Sequence, residues 1–351
     1  MPTHTTSRLK SHVTVTLFLL LLSGAILSGC RTHKKIQVSP LLGPLSDKDT
    51  AQLIAEVNRL AKVHSVHGKV DIVFEDTSFA AAGIAEKYRQ ADGQITVQKP
   101  GQIYLIIQVP FIAKDIAQMT SNGESFRVAV LQGDEKYRRF VKGTNNANYD
   151  KLDLDSKPAT TDVKKPMSEK DAVNALSNLR PQHLTAALMI DPISDPATSG
   201  LTYARSEFFQ DEPDTRSQSK TTRVVRGYYF LDEFSQPTAG SARILRRFWF
   251  DRVNGIRLAR IQTFDEAGLL ITDVAYWDEK PFGEAGELVL PSRIEITRPH
   301  DRYKLSIAYQ NPAGTDIDRE FQPAAFVLEN KWGLPEVDLD ARPKNKASVT
   351  P

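Results

Sequence analysis

QITVQKPGQIYLIIQV, residues 94–109, consists of two alternating runs separated by Lys99-Pro100-Gly101. Successive side chains of a strand point to opposite faces, so Ile103, Leu105, Ile107 and Val109 share one side of the second run. Tyr104 and Ile106 give the other side apolar character too, and a strand of this kind is expected to be covered on both faces. A Pro-Gly turn joining two such runs reads as a hairpin.

The same rhythm extends in both directions. Upstream, Val66, Gly68, Val70, Ile72 and Phe74 alternate with His67, Lys69, Asp71 and Val73. Asp92-Gly93, Asn122-Gly123 and Gln132-Gly133-Asp134 read as further turns, separating runs at 84–91, 94–98, 102–109, 124–131 and 136–142. Beyond a polar stretch at 145–167, residues 168–190 are helical in character: Ser168 caps a first piece, and a second runs from near Pro181 through Leu188. After a second polar stretch, about 191–221, the alternation resumes at 223–231, 242–252, 256–264, 269–277, 287–298 and 303–310. Asn254-Gly255 and Glu266-Ala267-Gly268 are its clearest turns, and 321–329 offers a last short strand. Ahead of all this, Ser46 reads as an N-cap, with Asp47 and Asp49 in the first turn. Ala51, Ile54, Val57, Leu60 and Ala61 recur at helical spacing, giving a helix over 47–62. The expected fold is mainly β: a strongly curved antiparallel sheet of about ten or eleven strands with one leading helix and one helical excursion.

The N-terminus has a different composition. Arg8 and Lys10 precede the apolar run VTVTLFLLLLSGAI at 13–26, and Leu27-Ser28-Gly29-Cys30 closes it. A basic segment, a short apolar segment and small residues at a cut are the parts of a secretion signal. The run is shorter than the roughly 20 apolar residues of a membrane span. Leu-Ser-Gly-Cys resembles the bacterial lipobox, in which the cysteine thiol accepts a diacylglycerol and, after cleavage, the new amino group accepts an acyl chain. The competing readings are an ordinary cleaved signal and a membrane helix with an incidental cysteine. The organisation that follows is a signal at 1–29, a lipidated Cys30 with a Pro-containing tether to residue 46, a domain over 47–330 and a loose tail at 331–351. Cys30 is the only cysteine, so no internal disulfide is available.

Two of the 45 basic residues lie in 1–29 and none of the 43 acidic ones, so the remainder is balanced at 43 of each. No basic run is interleaved with aromatics, which sets nucleic acid aside. Gly-x-Ser-x-Gly, P-loop and Gly-x-Gly-x-x-Gly sequences are absent. His64 and His67 lie three apart without a cysteine or carboxylate–histidine signature, and Asp153/Asp155 and Asp338/Asp340 lie in polar segments. All read as solvated; neither a metal nor a resident cofactor is expected beyond the covalent lipid, nor is an enzyme.

SVHGKVDIVF (65–74), DGQITVQKPGQIYLIIQVPF (92–111), FWFDRVNGIRLARIQTFDEAGLLITDVAYWDE (248–279) and LPSRIEITRPHDRYKLSIAY (290–309) follow a leading helix. In this order they resemble the LolA/LolB group of periplasmic lipoprotein carriers, over most of residues 47–330. The resemblance implies an open antiparallel half-barrel whose helices plug an apolar cavity that takes acyl chains. Ile103, Leu105, Ile107, Val109, Phe248 and Phe250 are then candidates to line the cavity, with core packing as the other reading for each. It also implies a lipid-anchored protein, most simply at the outer membrane facing the periplasm because Arg31 follows Cys30, with lipid or lipoprotein as cargo. The alternative is an envelope structural or assembly lipoprotein using the same fold as a scaffold. The chain is longer than the lipid-anchored members, and 145–167 and 191–220 have no counterpart. In those members the third strand ends in Pro-Leu, and the leucine protrudes. Here Pro110 is followed by Phe111 and Ile112, which would stand at the rim against lipid or cargo unless Phe111 turns back as a lid.

The lipobox makes Cys30 the acceptor of the lipid. Cys30→Ala is expected to abolish metabolic labelling with a palmitate analogue, and label that persists in the variant would sink the assignment.

Overall fold

β1 (Ser65–Asp76) is the strand on which the two halves of the sheet meet. One edge pairs antiparallel with β3 (Ala91–Gln98), from Ser65 opposite Gln98 to Ile72 opposite Ala91. The other pairs with β14 (Tyr303–Tyr309), from Val70 opposite Tyr309 to Asp76 opposite Tyr303. Short β2 (Glu86–Lys87) and β15 (Asp316–Ile317) also pair with β1. The computed structural model describes residues 38–76, 86–87, 91–109, 114–133, 135–145, 147, 179–216, 222–235, 241–286 and 288–341. Every helix and strand described here belongs to the unit Leu41–Pro351.

From β3 the sheet runs outward through β4 (Gln102–Val109), β5 (Lys114–Asn122), β6 (Ser125–Val130) and β7 (Arg139–Thr144). β16 (Glu336–Asp338) adds to β7 in parallel, the one parallel pair between named strands. From β14 it runs through β13 (Leu288–Arg298), β12 (Leu270–Phe282), β11 (Arg257–Phe264), β10 (Ile244–Asp251) and β9 (Arg223–Phe234) to the edge strand β8 (Thr202–Pro213). The sixteen strands among the described residues form one sheet.

The helices report how far that sheet curls. α1 (Thr50–Leu60) buries Leu53, Val57 and Leu60, spaced to lie on one face, and packs on β11. α2 (Pro181–Leu188) packs at once on β3, β4, β5 and β13. Five strand-to-strand steps separate β5 from β13, about 24 Å if the sheet were flat, while a helix with its side chains is about 10–12 Å across. One eight-residue helix reaches both wings only because they bend toward each other around it. The fold is thus the open, curved antiparallel half-barrel with few helices that the resemblance implies.

Several details depart from the sequence reading. The strand count exceeds ten or eleven because β5 reads KDIAQMTSN, too polar to announce itself, because β8 is exposed on both faces and so shows no apolar alternation, and because β2, β15 and β16 are only two or three residues long. β8 occupies part of the expected polar insertion at 191–221. Asp92-Gly93 is not a turn but lies inside β3. The helix cap is Asp49, not Ser46: its carboxylate accepts from the Gln52 amide at 2.8 Å, and Gln52 Oε1 accepts from the Asp49 amide at 3.1 Å, a capping box. Asp47 instead accepts from the Tyr229 hydroxyl at 2.8 Å. The end of the expected tether is docked: Leu42 donates to Val225 O at 2.9 Å and Ser46 to Arg252 O at 2.8 Å. In place of a strand at 321–329 there is a 3-10 turn, Pro323–Phe326. The expected loose tail contains β16, with Phe140 donating to Pro335 O at 2.9 Å. Cys30, Phe111, Ile112 and most of 145–167 lie outside the described residues.

Gly93 explains why a turn-like dipeptide sits in a strand. A Cβ there would come within 2.8 Å of Ile72 Cδ1 and 3.0 Å of the Ile106 carbonyl oxygen. Close approach of neighbouring strands requires the glycine, not a turn. Gly93→Ala is expected to lower stability by about 1–3 kcal/mol through overpacking, read as a lower urea midpoint at unchanged slope. An unshifted midpoint would mean that the strands separate freely here.

Candidate functional site

The concave face of the sheet is apolar from one wing to the other. Alternation along β4 buries Ile103, Leu105 and Ile107, with Val109 half-buried at the strand end. β10 contributes Phe248 and Phe250, both 0% exposed, and β14 contributes Tyr303, Leu305, Ile307 and Tyr309. Together with Leu53 and Val57 of α1 and Leu184 and Ala187 of α2 they form one continuous cluster. Five of the six sequence candidates are therefore brought to one interior, Val109 being outside that cluster, but the interior is filled by the helices, and none of the six borders the clefts described here.

Free space survives at the seam where the ends of the two helices meet the sheet. A cavity of about 40 Å³ lies there, walled by Leu60 at the end of α1 and Val63 after it, Leu188 at the end of α2 and Ile190 after it, and Tyr276 and Tyr309 from the sheet. Sequence reasoning did not select these residues. Leu60 shows only the helical spacing of 47–62 and Tyr309 only the Tyr303, Leu305, Ile307, Tyr309 alternation, which any core helix or strand would give.

Polar contacts hold α2 and the chain after it in the seam. The Tyr276 hydroxyl donates to Ala187 O at 3.0 Å. Lys99, from the turn between β3 and β4, donates its ammonium to Ile190 O at 3.0 Å and to Ala61 O, so one side chain ties the ends of both helices. Asn58 of α1 and the Ile193 backbone exchange two hydrogen bonds, at 2.7 and 3.2 Å. His183 Nδ1 lies 2.8 Å from the Tyr303 hydroxyl, a hydrogen bond whose donor depends on the imidazole tautomer. Burial pulls the Lys99 ammonium below its usual range, against Asp191 and Asp318, which favour its charge. It pushes the Tyr276 and Tyr303 hydroxyls well up.

Outside the interior, a cleft of about 400 Å³ runs along β9 to β12 and includes Trp249 and Trp277. Its arginines are matched within the chain. Arg226 pairs with Asp251 and with Glu212 (3.1 Å), Arg257 with Asp251 (3.1 Å) and Glu279 (3.7 Å), and Arg260 with Asp273 (3.3 Å). Such a self-neutralised wall offers little to a charged ligand. Among the described residues no group of three His, Cys, Asp or Glu side chains is placed to hold a metal. His67 instead contacts the Thr96 hydroxyl at 2.7 Å and stands near the Phe321 ring.

No family model matches the chain, and no curated protein matches it. Solved structures with a related course include a DUF1329 family protein from Desulfovibrio piger, at 11% identity over 79% of this chain and 95% of that one, with a TM-score of 0.37. A LolA superfamily protein from Nitrosomonas europaea aligns at 11% identity over 80% and 99%, with a TM-score of 0.39. A domain described as that of an outer membrane lipoprotein-sorting protein, from Vibrio parahaemolyticus, aligns at 9% identity over 78% and 94%, with a TM-score of 0.36. These superpositions are loose. The class of protein rests on this chain's own geometry: a helix-plugged antiparallel half-barrel with an apolar interior.

His183 makes the seat of α2 sensitive to acid. Burial, together with Arg298 and Arg180 and against Asp301, lowers its pKa from 6.5 to about 3. The unfolded chain takes up that proton near 6.5 and the folded one does not. The contribution of neutral His183 is complete above pH 6.5 and is lost as pH falls toward 3, at about 1.4 kcal/mol per pH unit. Urea unfolding at pH 7 and pH 5 should show this loss, and His183→Gln should flatten it. A wild-type slope retained by the variant would place the titration elsewhere.

Proposed function

We propose that this is a lipid-anchored envelope protein, held through Cys30 in the outer membrane and facing the periplasm. In this reading it takes an acyl chain or a lipidated polypeptide into its apolar interior, without catalysis and without a cofactor beyond the diacylglycerol and N-acyl chain on Cys30. One observation carries the reading. The concave face of a long curved sheet is closed by two short helices rather than by a second sheet, and α2 and the chain after it are seated through a few polar contacts beside the one small seam cavity. About 40 Å³ holds no acyl chain, so the ligand enters by displacing α2. The displaced apolar contacts are replaced by contacts with the chain, and neither surface need face water for long.

A second reading has its own observation. Leu184, Phe248 and Phe250 are fully buried and the interior is filled, which suits an envelope scaffold that uses its own helices as permanent core. Two measurements on the full-length protein separate the readings. Organic extraction followed by mass spectrometry is expected to find non-covalently bound lipid. Dansyl-undecanoic acid is expected to bind and to accelerate amide exchange across 181–193 while leaving β4 protected. Absence of both bound lipid and probe binding gives the scaffold reading instead.

A further inference from the structure

A cleft of about 580 Å³ is on the other side of the sheet from the helices and belongs to neither reading above. Lys114 and Asp115 at the start of β5, Leu131 and Gln132 after β6, Arg138 before β7, and Trp332 and Leu334 from the C-terminal segment enclose it. Its apolar wall is built: Leu334 packs with Ala129, Phe140 and Leu328, and Leu131 and Trp332 lie against that cluster. Its polar wall is fixed as well, since Gln132 donates to Asp115 O at 3.1 Å and Leu131 to Ile116 O at 2.9 Å.

The charges in this cleft differ from those along β9 to β12. Among the described residues neither Lys114 nor the Arg138 side chain has an ion-pair or hydrogen-bond partner, and Arg138 Nε is buried with none. Leaving a buried donor unpaired costs roughly 1–3 kcal/mol, and more for a charged group, so such a site calls for an explanation. The one carboxylate among the described lining residues is already engaged. Asp115 Oδ1 accepts from Gln108 Nε2 at 2.8 Å and Oδ2 from Gln118 Nε2 at 2.7 Å. Two unanswered cations therefore face the same space as an indole and two leucines. A guanidinium fork and an ammonium suit the oxygens of a phosphoryl group. The volume falls in the range of ligand sites of about 300–1,000 Å³, well beyond the needs of a bare ion.

We propose that this cleft binds a phosphate ester, its phosphoryl group on Arg138 and Lys114 and its apolar substituent against Leu131, Trp332 and Leu334. The chemistry is shared by a phospholipid headgroup and by a free phosphate, and the test separates them. Full-length protein is titrated with dihexanoyl phosphatidylglycerol, glycerol 3-phosphate and inorganic phosphate, followed by tryptophan fluorescence with Trp332→Phe identifying the reporter. Saturable binding is expected, weakened at least tenfold by Arg138→Gln and by Lys114→Gln and largely kept by Arg138→Lys. Both Gln variants are checked for an unchanged circular dichroism spectrum, and Lys114, exposed at a strand end, supplies the reading should Arg138→Gln disturb the fold. Tighter binding of the lipid identifies a headgroup site, and equal affinities identify a free phosphate. No saturable binding of any probe, or binding that survives both Gln variants, overturns the proposal. Because the acyl site under α2 does not involve Arg138 or Lys114, retention of dansyl-undecanoic acid by these variants keeps the two sites distinguishable.

Discussion

Pairing of β1 with β14 joins residues 227 to 239 positions apart and makes a single sheet of two meanders. From Val70 opposite Tyr309 to Asp76 opposite Tyr303, seven residue pairs are in register, and each keeps the apolar face of its strand on the concave side. A slip by one residue would turn Val70 and Ile72, or Leu305 and Ile307, toward solvent. The interior, the seat of α2 and the curl of the wings all presuppose that register. Closing a loop of such length is entropically unfavourable by itself, and the buried faces of β1 and β14 offset it only when the wings on both sides are present.

Curvature then decides what the sheet can enclose. Antiparallel sheets twist, and a path of this length brings β5 and β13 within reach of one helix. The space left between is too narrow for a second sheet and suits helices laid along it. α1 is local to the fold, with its own capping box and an apolar stripe that matches the sheet beneath. α2 is weaker on its own terms: eight residues, Pro181 at its start and no side-chain cap. It owes its place to burial of Leu184 and Ala187 and to contacts with Tyr276, Lys99 and Tyr303, which are supplied by the sheet and its turns. A cover of this kind is stable when seated yet has little to keep it helical when displaced.

The two faces of the sheet also divide the chemistry. Inside, charge is scarce, and the polar contacts that seat α2 and the chain after it join side chains to backbone groups or to a tyrosine. Outside, arginines lie over aromatic rings, Arg247 over Phe230 and Arg260 over Trp249, while also pairing with carboxylates. This arrangement keeps a broad aromatic surface in contact with water. The exception is the corner between β5, β7 and the C-terminal segment, where Lys114 and Arg138 lack such answers.

By itself the sequence determined the class of fold, because alternation along runs such as 102–109, 223–231 and 303–310 is a local property of the chain. The matching strands Gln102–Val109, Arg223–Phe234 and Tyr303–Tyr309 begin where that pattern begins. It likewise placed the second helix, from Pro181 to Leu188. Of the six candidates that the family resemblance brought forward to line a cavity, Ile103, Leu105, Ile107, Phe248 and Phe250 share one buried cluster. β5 and β8 escaped it because their stability comes from a neighbour's hydrogen bonds, not from an apolar face of their own. Gly93 was misread because a glycine that makes room for Ile72 looks, in sequence, the same as one that makes a turn. Only the tertiary structure decided whether the buried set lines a void or fills it. The volume between two curved wings depends on the approach of residues far apart in the chain, such as Leu184 above β4, and on how tightly α2 is seated there.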